Sequence, residues 1–141
     1  MADRIFGKVP EDQTPRPRQA AYIVIRRSGS VAVVKDGSMY FLPGGGSEPG
    51  ESPIETITRE VAEELACEIV VDREIGKAVQ YFYSADDQVY YRMQATFFAG
   101  RFSTEPDGEF SWLSETSVMD ALFHECHRWA VAEASNGRET A

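Results

Sequence analysis

Apolar residues recur along the chain with two periods, and the switches between them mark out strands and helices. Ala20 to Arg27 is β-branched and apolar and turns at Ser28-Gly29; Val31 to Lys35 follows as a second strand, stopped by Asp36-Gly37. Met39 to Leu42 reads as a short third strand and Leu42 to Gly50 as a Gly/Pro loop. Ser52 to Ala66 changes to helical spacing. Glu68 to Tyr83 and Gln88 to Phe98 read as two long strands joined at Ser84-Ala85-Asp86-Asp87, and Glu109 to Leu113 as another. Val118 to Ala134 is an amphipathic helix with Met119, Leu122, Phe123, Cys126, Trp129 and Ala130 on one side. Residues 1–17, with Pro10, Pro15 and Pro17, form an irregular lead-in with room for one short strand. Residues 135–141 read as a frayed tail, Asn136-Gly137 marking the helix stop. The order predicts an α/β fold of the α+β type: one domain over 1–141, a mixed sheet sandwiched between helices.

The segment Ser52 to Ala66 carries its own start signal. Ser52 caps it, Pro53 suits the first turn, and Glu55 completes a Ser-x-x-Glu capping box. Ile54, Ile57, Val61 and Leu65 fall on one stripe and predict its buried face. Glu60, Glu63 and Glu64 share a flank of that stripe. Like charges at this spacing repel, and such a face is ordinarily just solvated. The loop in front changes the weighting. Leu42-Pro43-Gly44-Gly45-Gly46 lets backbone approach a ligand closely, and clustered oxygens with room for water and phosphate suit Mg²⁺.

Composition narrows the partners. A net charge of −9 argues against DNA binding through a basic surface, and a phosphate substrate approaching so acidic a chain favours a mediating cation. No apolar run approaches the ~20 residues of a membrane span, and the opening residues, with Asp3, Arg4 and Glu11, do not read as a secretory leader. Cys67 and Cys126 make no disulfide framework, so a cytoplasmic protein with reduced thiols is the expectation.

From Gly45 the residues spell a known pattern. The Nudix box reads G-x5-E-x7-R-E-U-x-E-E-x-G-U, with U aliphatic. Here Gly45, Glu51, Arg59, Glu60, Val61, Glu63 and Glu64 stand in register, and the chain resembles the Nudix hydrolase family. Ala66 replaces the second glycine and Cys67 the last aliphatic. The glycine normally ends the helix in a left-handed conformation, so either Ala66 adopts it at a cost of ~1 kcal/mol or the helix ends differently. Cys67 serves as a small buried hydrophobe.

The resemblance implies roles. Glu60, Glu63 and Glu64 become the metal-ligand and base set, Glu51 a further ligand or orienting carboxylate, and the Gly44 carbonyl a ligand. Arg59 becomes the guanidinium that positions a box carboxylate. Glu109, or second Glu105, becomes the additional glutamate outside the box. The implied reaction is attack of water on a diphosphate linkage of a nucleoside diphosphate derivative or a nucleoside triphosphate. Mg²⁺, or Mn²⁺ in its place, acidifies the water, and a carboxylate takes the proton or orients the nucleophile. The expected partner is a small phosphate-containing molecule, a nucleotide above all; a homodimer is left open.

Arg18, Arg26 and Arg92 are the candidate phosphate contacts, with Arg27, Lys35 and Lys77 behind them. Tyr83, 16 residues past the box, stands near where dinucleoside polyphosphate hydrolases carry a tyrosine, and other strand aromatics could stack on a base. His124-Glu125-Cys126-His127 lacks the H-E-x-x-H spacing and reads as helix surface plus core rather than as a zinc site. Two alternatives stay open. An inactive nucleotide-binding module would show eroded carboxylates, and isopentenyl diphosphate isomerisation would need acid–base residues that Cys67 and Cys126 do not evidently supply.

Overall fold

The computed structural model describes residues 4–139, side chains as far as 136. Its strands are β1 (Arg4–Phe6), β2 (Arg16–Arg27), β3 (Ser30–Asp36), β4 (Met39–Phe41), β5 (Gly44–Gly46), β6 (Ile69–Ser84), β7 (Val89–Phe102) and β8 (Ser111–Ser114); its helices are α1 (Pro53–Leu65), α2 (Glu115–Ala121) and α3 (Glu125–Glu139). The eight strands form one mixed sheet in the order β1-β6-β7-β2-β3-β4, with β5 added to β2 and β8 to β3. The long β6–β7 hairpin is antiparallel, whereas β2 runs parallel to β7 from Arg16↔Tyr91 to Ile25↔Gly100.

Strand β2 is covered on both faces, which is why Ala20 to Ile25 is uninterruptedly apolar. Alternation then assigns each residue to a layer. Ala21, Ile23 and Ile25 pack with Ile57, Val61 and Leu65 of α1, while Ala20, Tyr22 and Val24 pack with Val118, Leu122, Cys126 and Ala130 of the C-terminal helices. This is the sandwich of a mixed sheet between helices that the residue pattern predicts.

The structure differs from the pattern in several places. Strand β2 begins at Arg16, inside the expected lead-in, because parallel pairing with β7 recruits Arg16 to Gln19. The glycine loop contains β5, paired antiparallel with Ala20–Tyr22: tertiary pairing overrides glycine's low strand propensity. The expected helix over 118–134 is two helices. Leu122 is extended (φ −65°, ψ 130°), and Phe123 N–H donates to the Tyr40 carbonyl, so a bond to β4 breaks the helical ladder. Nor does Asn136-Gly137 stop α3, which continues to Glu139. Arg26 and Arg73 donate to the Val131 and Ala134 carbonyls and tie its later turns to the sheet. The end of the expected frayed tail, 140–141, lies outside the described residues.

Helix α1 keeps the predicted capping box, Ser52 Oγ accepting from Glu55 N–H and Glu55 accepting from Ser52 N–H. Its stripe is shifted: Ile54 is 52% exposed, and Thr56 takes the buried place, its hydroxyl 2.8 Å from Ser47 Oγ and 3.0 Å from Glu51 Oε1. Ala66 does adopt the left-handed conformation (φ 49°, ψ 41°). Ala66→Gly should therefore raise stability by about 1 kcal/mol, read as a higher urea midpoint with an unchanged slope; no gain would mean that this backbone is unstrained.

Candidate functional site

Strand β5 lies between β2 and α1, and its lack of side chains allows the site to close. At Gly44 (φ +143°) a Cβ would lie 2.1 Å from the Ala21 carbonyl oxygen; at Gly45 it would lie 2.5 Å from Glu60 Oε1. Only bare backbone lets a helix carboxylate come so near the strand. The Gly44 N–H in turn donates to Glu64 Oε1 at 3.1 Å.

Arg59 gathers the remaining carboxylates. Its Nε donates to Glu51 Oε2 (2.6 Å) and its Nη2 to Glu51 Oε1 (3.0 Å) and the Gly46 carbonyl (2.9 Å). Its Nη1 reaches Glu60 Oε2 (2.9 Å) and Glu63 Oε1 (3.2 Å). The hydrogen bond from Arg59, with that from Glu48 N–H, draws the Glu51 carboxyl down to a pKa of about 2. Burial acts the opposite way on the inner pair. Glu60 rises above the ordinary carboxylate range despite Arg59. Glu64 rises to about 7, burial outweighing the Gly44 N–H and the neighbouring charges of Glu60 and Glu63 adding to it.

Glu60 and Glu64 open into a cavity of about 480 Å³ that also takes in Glu109, Arg18 and Lys35, with Gly44 to Gly46 along one wall. Glu109 arrives from the segment before β8, some 50 residues along the chain. Arg18 stands at a junction: it lines this cavity, a cleft of about 570 Å³ beside Ser47 to Glu51, and an aromatic cavity of about 320 Å³. Its Nε is buried without a hydrogen-bond partner, and its guanidinium lies 5.7 Å from the Tyr91 ring centroid.

Other candidates are held elsewhere. Arg26 is paired with Glu115 (2.5 Å) and bonded to α3, because its place near the end of β2 faces the helix and not the glycine strand. Arg92 donates to the Tyr81 hydroxyl across the hairpin (3.1 Å) and does not line the carboxylate cavity. Glu105 is exposed, 3.9 Å from Arg27. Tyr83 lines the aromatic cavity, half exposed, with its ring 5.0 Å from that of Tyr90.

His124 and His127, which their spacing assigns to helix surface plus core, are both buried. His124 meets Phe41 and Phe82 edge-on, and His127 Nδ1 accepts the Leu42 N–H at 3.1 Å, anchoring the approach to the glycine strand. Only tertiary packing brings β4 beside α3, so no local signal could have revealed this.

Among the described residues no three His, Cys, Asp or Glu side chains are already gathered at metal-binding distances; Arg59 supplies the counter-charge. The donors are nevertheless all oxygen, crowded, and for Glu64 and Glu60 costly to leave charged. That chemistry fits a hard divalent cation whose shell is completed by water and phosphate oxygens.

A family model of the NUDIX domain matches residues 15–136, while no curated protein matches the chain. Solved structures with the same fold include a MutT protein from Methanosarcina mazei Go1 (21% identity, 88% of this chain and 96% of that one covered, TM-score 0.69). A NUDIX hydrolase from Nitrosomonas europaea follows (18%, 86% and 90%, 0.67). An ADP-ribose pyrophosphatase from Streptococcus suis 89-1591 is similar over 84% of this chain and 92% of that one (15%, 0.61). With the family model spanning most of the chain, the glycine strand and capped glutamate helix at its centre, this protein belongs to the NUDIX domain family.

Proposed function

We propose that this protein is a Mg²⁺-dependent pyrophosphohydrolase that cleaves the diphosphate linkage of a nucleoside diphosphate derivative or a nucleoside triphosphate. The family supports the reaction class. One observation carries the site: Glu60, Glu64 and Glu109 face one cavity whose cations are Arg18 and Lys35. The similar Streptococcus suis protein is described as acting on ADP-ribose, which supports the nucleotide. A cytoplasmic setting is proposed with it, on two buried free thiols.

In this reading Glu60, Glu63 and Glu64, with Glu51 and the Gly44 carbonyl, would hold the cation, and Mn²⁺ would serve in place of Mg²⁺. When bound, the cation neutralises phosphate charge and makes water a better nucleophile. Arg59 keeps the box carboxylates in register. Arg18, with an unpartnered buried Nε, binds the phosphate chain. Glu109 or Glu64 accepts the proton as water oxygen bonds to phosphorus and the bridging P–O bond breaks, leaving a phosphorylated fragment.

The test is product release across a panel of nucleoside triphosphates and nucleoside diphosphate derivatives. Cleavage should require Mg²⁺ or Mn²⁺ and stop on chelation. Tight nucleotide binding without turnover on any member would replace the enzyme with an inert binding module.

A further inference from the structure

Beside the carboxylate cavity lies the aromatic one, which shares Arg18, Tyr22, Asp36 and Phe41 with it. Its walls carry Phe41, Phe82, Tyr83, Tyr91 and Phe123. Three of the five large exposed hydrophobics among the described residues, Met39, Tyr83 and Phe123, stand on this one rim. Exposed apolar side chains gathered around a cavity mark a surface that a ligand covers, and flat aromatic walls suit a flat ring.

The polar groups are one-sided. Asp36, Asp86 and Asp87 line the cavity, against Arg18 as the one cation in its lining. His124 adds no positive charge, because burial holds its pKa down at about 4. Asp87 Oδ2 accepts from the Tyr91 hydroxyl at 2.6 Å, which fixes one wall and leaves the other carboxylate oxygen without a partner among the described residues. Ionised carboxylates only accept hydrogen bonds. They repel a phosphate chain, so an occupant must place its anionic part at Arg18 and its ring beyond.

Resting on the diphosphate-hydrolase reading, we propose that the aromatic cavity seats the base of the substrate. Its carboxylates select a base that presents adjacent N–H donors, guanine above all, over uracil. Guanine offers N1–H and the N2 amino group side by side, which a carboxylate accepts as a pair. Uracil offers one N–H flanked by two carbonyls that face the carboxylates unfavourably.

The test compares GTP with UTP and GDP-glucose with UDP-glucose, so that only the base changes within a pair. The wild-type protein with Mg²⁺ should favour guanine in kcat/KM by roughly tenfold or more, the discrimination of one good paired contact. Asp86→Asn with Asp87→Asn, both confined to this cavity, should bring the ratio close to one. Asp72→Asn, at the distant pairing with Arg101, should leave the ratio alone. Circular dichroism checks that each variant is folded; should the double variant fail, Tyr83→Ala, on the exposed rim, must lower the affinity for guanine substrates. Equal rates on both bases, or a guanine preference that survives the double substitution, overturns the selection. Failure to cleave any of the four would instead strike the hydrolase reading.

Discussion

Replacing Glu64 with glutamine should remove most of the turnover and leave the fold in place. Glutamine keeps an oxygen to accept the Gly44 N–H, so the contact between α1 and β5 survives. What is lost is negative charge at the innermost carboxylate of the cavity. The loss of a positioned base or charge there should lower kcat by about 10²–10⁴-fold. Stability should move the other way. The raised pKa of Glu64 means that the folded state holds its proton more tightly than the unfolded chain, whose glutamate keeps the ordinary value of 4.5. Stability from this group is therefore full below about pH 4.5 and is lost as pH rises through about 7. The shift corresponds to at most about 3 kcal/mol. Without divalent cations the variant should thus be more stable than the wild type at pH 8 and nearly equal to it at pH 4.5. Urea unfolding at the two pH values, beside steady-state rates, checks both halves. Full activity in Glu64→Gln would remove the assignment of the site; destabilisation at pH 8 would make Glu64 a structural residue.

Arg59→Lys should be nearly as damaging as Arg59→Ala. One guanidinium bridges Glu51, Glu60, Glu63 and the Gly46 carbonyl at once. A single ammonium has the charge but not the planar fork needed to hold donors in four directions. Without it, Glu60 and Glu63 lose the counter-charge that offsets their repulsion, and the carboxylates drift from register. Misplacement of that order costs roughly 10²-fold in rate. The check is kcat for both variants, with circular dichroism to confirm folding. Lysine restoring activity to within a few-fold would reduce Arg59 to a charge and dismiss the geometric role.

The residues that could be read in advance lie close together in the chain. Ser52, Pro53 and Glu55 start a helix by contacts three residues apart, and the register from Glu51 to Glu64 follows from 3.6 residues per turn. Glu109 was legible only through the resemblance, and the fold brings it into the cavity. Arg26, an equally plausible cation from its sequence neighbours, goes instead to Glu115 and α3. Adjacent strand positions point to opposite faces, and which face meets the site is a property of the sheet.

By itself, then, the sequence determined the mixed sheet between helices, through apolar runs such as Ala20–Arg27, and the acidic, capped helix with its glycine approach. These depend on local backbone preference and on apolar period. Tertiary structure alone decided that three glycines become a strand, because Ala20–Tyr22 offer an unpaired edge. It decided that Tyr40 breaks the C-terminal helix at Leu122, and that His127 anchors Leu42 across 85 residues. It also drew Asp36, Phe82, Asp87 and Phe123 from four separate segments around one cavity beside Arg18. Contacts so distant in sequence leave no periodic trace, since the chain pays their loop-closure entropy only once the whole sheet has formed.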